Sequence, residues 1–360
     1  MRIWAFHLFN DYSGSPLMLK NALKAMESAA EIHLWTSKSE GFLSDAKVHQ
    51  FHPNSYRWKS GKLGLLFNLI RAQWEAFMLV YKNRKSIDAL YLNTLLPAGA
   101  ALAGKFCGIP VIYHLHEPQL NNRLLFHLLK ATAIWTADKA IFVSSYLQSC
   151  FPELADKGEV IPNVLSESFL QAIKHSEKRQ REGTLMLCSY KAYKGIENFA
   201  SLAENDGERS YTLILNSSED QIAEFREKHK ALKNLYIQSS PADLHPYYQK
   251  AALLLNLSHP DKWIESFGMT ALEAMSYGLP CIVPEVGGIA DLVTEECGFK
   301  TSVYKPEKIS RQIDFLFSDE RIYAEYSLSA LQRSRDYSFQ AFKEKLCAFL
   351  GLPQSQAILS

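Results

Sequence analysis

Two carboxylates, Glu265 and Glu273, frame the run Glu265-Ser266-Phe267-Gly268-Met269-Thr270-Ala271-Leu272-Glu273. Gly268 lies between them among small or apolar neighbours, where a loop should turn into a helix. A loop feeding a helix N-terminus offers unpaired N–H groups and the positive end of a dipole, which suit a phosphate. Carboxylates accept hydrogen bonds and so suit sugar hydroxyls. With a helix starting near Phe267, Glu273 falls roughly 9 Å along the axis at about 1.5 Å per residue. That is the span from hexose to ribose across a diphosphate, so the segment has the chemistry of a nucleotide-sugar site. A simpler reading stands beside it. Thr270-Ala271-Leu272-Glu273 also fits a capping box, with Thr270 as the cap and Glu273 reaching back to its N–H.

The continuation changes that balance. Ala274-Met275-Ser276-Tyr277-Gly278 closes the helix, Leu279-Pro280 follows, and Cys281-Ile282-Val283 reads as a short strand before Gly287-Gly288. The whole run from 265 to 288 resembles the donor-site signature of retaining GT-B glycosyltransferases, glycosyltransferase family 4 (glycosyl transferases group 1). The resemblance implies that Glu265 holds the donor sugar hydroxyls and Glu273 the ribose. The diphosphate would lie against the N–H groups of Phe267, Gly268, Met269 and Thr270.

Other segments extend the resemblance. In Tyr190-Lys191-Ala192-Tyr193-Lys194-Gly195, Lys194 matches the family's diphosphate lysine, a compact cation that can follow leaving charge. The family's arginine position falls on Ser189, with Lys191 as a stand-in. Ser13-Gly14-Ser15-Pro16 is similar to its glycine-rich loop, with one glycine where two are common, and assigns Gly14 and Ser15 to the donor. His114-Leu115-His116-Glu117-Pro118 ends an apolar strand, and His116 matches the histidine set against the reacting sugar. His114 and His116 have metal-like spacing but no third ligand nearby. Ile237 to Leu244 resembles the loop that meets the base, through Ser240 and Leu244, and Ile161-Pro162-Asn163-Val164 resembles a turn that precedes the interdomain linker. No D-x-D triplet occurs. The expectation is a site with no metal and no cofactor beyond the nucleotide diphosphate sugar co-substrate.

Apolar runs of strand length must position these residues. They alternate with helix-length segments along the chain, among them Ile3–Phe9, a helix from Pro16 to Ala29, Ala89–Leu92, a helix from Leu96 to Gly104, and Val111–Leu115. The pattern restarts at Thr184–Leu187. Such alternation predicts parallel sheets covered on both faces. The fold class is therefore α/β, and the resemblance makes it GT-B: two Rossmann-like doubly wound domains facing across a cleft. We place an acceptor-side domain at 1–165 and a nucleotide-sugar domain at 166–336. A terminal helix near 337–350 would cross back onto the first. The charged stretch 169–183 reads as a solvated surface helix or linker at the domain boundary.

The chain has 360 residues, a formal net charge of +1 and 47% hydrophobic residues, an ordinary globular composition with no global field for nucleic acid. Its six cysteines are scattered without a C-x-x-C pair, which favours reduced thiols in the cytoplasm. Met1–Phe9 reads as a first strand rather than a signal peptide. The basic, apolar stretch 56–71, with Arg57, Lys59 and Lys62 beside Trp58, Leu65 and Phe67, suits either a membrane interface on the cytosolic face or a core helix with a wet end. The expected activity is retaining, metal-independent transfer of a hexose to a glycan acceptor hydroxyl, lipid-linked in one version, in surface polysaccharide synthesis. Its alternatives are a GT-B protein that binds without turnover and a nucleotide-sugar epimerase.

Overall fold

Every strand pairing in the computed structural model, which describes residues 1–57, 62–174 and 181–353, is parallel. The chain divides into two compact units. The first is Met1–Val164 with the stretch from Phe339, and the second is Leu165–Ser338.

The first unit carries a sheet in the order β3-β2-β1-β4-β5-β6-β7. These strands are β1 Arg2–Phe6, β2 Glu31–Ser37, β3 Gln50–Asn54, β4 Ala89–Asn93, β5 Val111–Leu115, β6 Lys139–Phe142 and β7 Gly158–Val160. All residues of β4 and β5 are buried, as expected of central parallel strands covered on both faces. Edge strand β3 escaped sequence reading. Its QFHPN sequence is polar and contains Pro53, which a sheet tolerates only at an edge. The helices that matter are α1 Gly14–Met26, α2 Lys62–Asn83, α3 Ala98–Cys107 and α4 Arg123–Thr136. α1 and α3 are thus displaced by two or three residues from the expected spans. The helix Phe339–Leu350 packs here, burying Phe342, Leu346, Cys347 and Leu350 in one cluster with Leu19, Leu23 and Met26 of α1.

The second unit has the order β10-β9-β8-β11-β12-β13. Its strands are β8 Thr184–Ser189, β9 Tyr211–Asn216, β10 Leu235–Ser239, β11 Leu253–Leu255, β12 Cys281–Val283 and β13 Gly298–Lys300. In both sheets the strand order reverses beside the first strand, between β1 and β4 and between β8 and β11. Open α/β sheets bind ligands outside the carboxyl ends of their strands at such points.

Of the two readings of 169–183 the helix is the one found at its start, but its solvation is corrected. Residues 167–174 form a helix whose Phe169 ring lies 4.6 Å from that of His245 and 6.2 Å from that of Tyr277. Arg181 donates to the carbonyl of Gly278 at 3.2 Å and to that of Tyr277. Both residues therefore anchor this stretch to the second unit, through aromatic burial and carbonyl capture, while 175–180 lie outside the described residues. Trp58 and Lys59 of the basic stretch also lie outside them.

Candidate active site

In the second unit the switch point brings together Lys194 and Glu265, which sequence reading had assigned to the diphosphate and to the sugar of one donor. β8 ends at Ser189, and Lys194 closes a short turn, followed by Gly195 in the left-handed region (φ 77°). A Cβ on Gly195 would lie 2.3 Å from the Leu257 carbonyl oxygen, so glycine permits the loops after β8 and β11 to touch. Across that contact Lys194 Nζ donates to Glu265 Oε1 at 2.5 Å, and Ser258 Oγ donates to the same oxygen at 2.9 Å. The ammonium also stands 5.0 Å over the Trp263 ring, which stacks on Tyr193. Burial pushes the Glu265 pKa up, but the charge of Lys194 and the hydrogen bonds from Lys194 and Ser258 outweigh it and hold the carboxylate below its ordinary value. Lys191 is exposed, and Ser189 ends the strand two residues earlier.

The glycine after Glu265 does what the sequence asked. Gly268 (φ 103°) is the N-cap of the helix Met269–Ser276, so the capping box is corrected. Thr270 lies inside the helix, and the Glu273 carboxylate accepts from Tyr248 instead. The Gly268 carbonyl accepts from the N–H groups of Ala271 and Leu272, while those of Met269 and Thr270 have no acceptor within the helix. Phe267 is buried beneath the turn. The Glu265 carbonyl receives the Gly288 N–H at 2.8 Å, which ties the site to the loop after β12.

Glu273 sits in an aromatic enclave. Tyr248 Oη donates to its Oε2 at 2.5 Å, and the Tyr248 ring stacks on Tyr277 at 5.7 Å. Burial, offset only by that hydrogen bond, raises the Glu273 pKa to about 7. The proposed base-contacting loop abuts this enclave: the Leu244 carbonyl caps the helix His245–Lys250 and accepts from Tyr248 N–H at 3.3 Å. Ser240 is exposed at the end of β10, its N–H held by the Leu215 carbonyl at 2.9 Å.

The first unit places His116 and Ser15 around a residue that sequence reading missed. Asn93, fully buried at the end of β4, accepts from His116 Nε2 at 2.8 Å through its Oδ1. Its Nδ2 donates to the Ser15 carbonyl at 3.0 Å and to His7 Nδ1 at 3.0 Å. This bond gives His116 an Nε2–H tautomer. Burial, with the neighbouring His114 and His7, holds His116 well below the ordinary histidine pKa, so the ring is neutral. His114 is also buried, with a pKa lowered to about 3, and its Nδ1 meets Tyr91 Oη at 2.7 Å. Burial raises Glu117 to about 7. Thr94, next to Asn93, has φ 80°, a strained backbone of the kind that collects at sites. The only available sequence signal was a polar Asn-Thr pair ending an otherwise apolar strand. Gly14 opens α1, where Asp11 Oδ1 accepts from Ser13 N–H at 3.0 Å, and a Cβ there would meet nothing within 4 Å. Among the described residues no group of three metal-ligating side chains assembles.

Residues 169–333 match the family described as Glycosyl transferases group 1. Anabaena HepE, solved in complex with UDP-glucose, superposes with a TM-score of 0.77 at 18% identity, over 98% of this chain and 99% of that one. Sucrose-phosphate synthase from Thermosynechococcus elongatus gives 0.76 at 15% identity, over 97% and 98%. These likenesses define the fold as GT-B. N-acetyl-alpha-D-glucosaminyl L-malate synthase from Bacillus anthracis is 24% identical over 294 residues, 73% of each chain. The protein is a GT-B glycosyltransferase whose second unit carries the group 1 domain.

Proposed function

We propose that the enzyme moves a hexose from a nucleotide diphosphate sugar to an acceptor hydroxyl with retention and without a metal ion, in the synthesis of a surface polysaccharide or other glycan. The observation that carries this reading is the Lys194–Glu265 pair beside the helix start at Gly268. A cation and outward N–H groups suit a diphosphate, and an ionised carboxylate suits sugar hydroxyls. The UDP-glucose bound by the HepE structure supports a donor of this class.

In the free enzyme Glu265 neutralises Lys194. An arriving diphosphate draws the ammonium toward itself and frees Glu265 to accept from the sugar. Lys194 and the N–H groups of Met269 and Thr270 then stabilise the departing diphosphate, while Glu273 takes the ribose. His116 keeps the role its resemblance gives it, against the reacting sugar. Among the described residues no side chain stands out as nucleophile, so attack from the leaving-group face through an oxocarbenium-like state is the expected course. The missing D-x-D triplet supports metal independence, and activity should survive excess chelator.

A panel of nucleotide sugars tests the reading. Slow donor hydrolysis, with the released sugar first appearing in the donor's anomeric configuration by NMR, is expected. Inverted product or dependence on divalent metal would overturn it.

We further propose peripheral contact with the cytosolic face of a membrane, where a lipid-linked acceptor would be met. Of the residues named for it, Phe67 is exposed on α2, whereas Leu65 is partly buried and Leu66 and Ile70 stand out in its place. Among the described residues no helix is long and apolar enough to cross a membrane.

A further inference from the structure

A concavity lies in the first unit, with none of His7, Asn93 and His116 in its lining. It encloses about 880 Å³ and is lined by Phe9 after β1, by Lys38 and Ser39 after β2, by the segment 53–57 at the end of β3, and by Asn68, Arg71 and Glu75 of α2. The adjacent strands β3, β2 and β1 all end on it, so it lies where an open parallel sheet receives ligands.

Its charge is lopsided. Three cations, Lys38, Arg57 and Arg71, face one carboxylate. That carboxylate is already satisfied: Glu75 accepts from Ser55 N–H at 3.0 Å, Ser55 Oγ at 2.5 Å and Arg71 Nε at 3.0 Å. Burial raises the Glu75 pKa, but these donors outweigh it and keep the group ionised. Arg71 is thereby aimed and half-neutralised. Lys38 and Arg57 form no ion pair among the described residues. Tyr56 and Phe9, whose rings meet edge to face at 6.0 Å, form an apolar wall beside them.

We infer that this concavity binds an anionic group of the acceptor, a phosphate or carboxylate, held by Lys38 and Arg57 with Arg71 set in place by Glu75. Guanidinium forks and an ammonium on an apolar floor take such an anion through charge-assisted hydrogen bonds. The inference rests on the proposed transferase reading, because it names the class of acceptor that the reading leaves open. α2 also ties the pocket to the exposed apolar surface: Arg71 and Glu75 line the concavity, and Ile70 and Trp74, their sequence neighbours, are 59% and 64% exposed. An anionic head group on a lipid would use both faces of the helix, and a soluble acid would use only the pocket.

The test is calorimetric titration of the full chain at low salt with glycerol phosphate and with succinate, against glycerol as a neutral probe. Both anions should bind the wild type, and Lys38→Gln/Arg57→Gln should weaken them at least about tenfold while Lys194→Ala leaves them in place. The thermal midpoint of the double variant should match wild type, because both side chains are exposed and neither forms an ion pair among the described residues. A short-chain phosphatidic acid that binds more tightly than glycerol phosphate assigns the anion to a lipid, and equal binding assigns it to a soluble acid. Anions that bind no better than glycerol would overturn the inference. So would binding that survives in the double variant and disappears with Lys194→Ala, because the anion would then sit at the donor loop. Donor hydrolysis keeps the two readings apart. Its absence in wild type counts against the transferase reading, whereas normal hydrolysis with no anion binding counts against the pocket alone.

Discussion

Lys194 Nζ and Glu265 Oε1 stand 2.5 Å apart across the switch point of the second sheet, joining positions separated by 71 residues. The cation assigned to the diphosphate and the carboxylate assigned to the sugar therefore hold one another in the free protein. Both side chains are largely shielded, at 13% and 20% exposure, so neither is well solvated when left alone.

Removing one partner should therefore cost stability. Lys194→Ala leaves Glu265 without its cation and should lower the unfolding free energy by about 3 kcal/mol. The double variant Lys194→Ala/Glu265→Gln should recover part of that loss, because it leaves no lone charge. Urea melts read the difference, and strictly additive effects would show that the two groups are not coupled. In ligand titrations Glu265→Gln should spare nucleotide diphosphate affinity and lower turnover of the sugar nucleotide, whereas Lys194→Ala should weaken both.

The two carboxylates of the signature should titrate in opposite senses. The Glu273 pKa is raised to about 7 in the folded protein, so the group contributes stability that is fully present below its unfolded value of 4.5. That contribution is lost as pH rises from 4.5 through 7, by at most about 3 kcal/mol. Glu265 is depressed, so its contribution is present above 4.5 and disappears as pH falls through its lower folded value. Glu273→Gln should flatten the stability profile between pH 4.5 and 7 and leave the acid limb intact. The ionised form of Glu273 is the stronger acceptor for a ribose hydroxyl, so if it takes that role nucleotide affinity should rise from pH 6 to 8 and binding should release a proton. Calorimetry in buffers of different ionisation enthalpy measures that proton, and a pH-independent affinity would remove Glu273 from the ribose.

The local structure of 265–288 was legible because its residues are contiguous. Loop, glycine, helix and strand follow one another from 265 to 288, and Gly268 indeed starts the helix at a φ only glycine adopts readily. Of the two sequence readings of Glu273, its tertiary partner Tyr248 removes the capping box, and nothing local to either residue reveals that contact. Asn93 was illegible for the same reason: only the pairing of β1, β4 and β5 sets it between His7 and His116. β3 was lost because edge strands need not be apolar. α2 left two readings open, since its leucines and aromatics read equally well as core.

Gly287 offers a test of the backbone beneath Glu265. Its φ is 108°, and a Cβ would lie 2.6 Å from the Glu265 carbonyl oxygen, the acceptor of the Gly288 N–H. Gly287→Ala should therefore cost about 1–3 kcal/mol of stability. It should also lower kcat more than nucleotide diphosphate affinity, because it displaces the carboxylate rather than the helix start. Gly14→Ala, where a Cβ meets nothing and φ is ordinary, should leave the thermal midpoint within a degree or two. A stable, fully active Gly287→Ala protein would show that the loop relaxes without moving Glu265.

The last prediction concerns the exposed face of the first unit. Rings run from helix to helix: Trp74 stacks on Phe77 at 6.0 Å, Phe77 meets Phe106 of α3 at 6.3 Å, and Phe106 meets Trp135 of α4 at 6.0 Å. Trp74, Phe106 and Trp135 are more than half exposed, an arrangement water alone does not favour. Lys82, Arg84 and Lys85 follow at the end of α2. Aromatic rings beside cations suit the interface of an anionic bilayer, where each basic residue contributes about 1 kcal/mol that fades with salt. Co-sedimentation with liposomes should thus require anionic lipid and weaken as salt rises. Trp74→Ser/Phe106→Ser should release the protein while keeping its thermal midpoint, because both side chains contact the core little. Arg57→Gln with Lys62→Gln should weaken binding less, since only the charge is removed. Binding that ignores lipid charge and survives the aromatic double variant would show that this face serves some other partner.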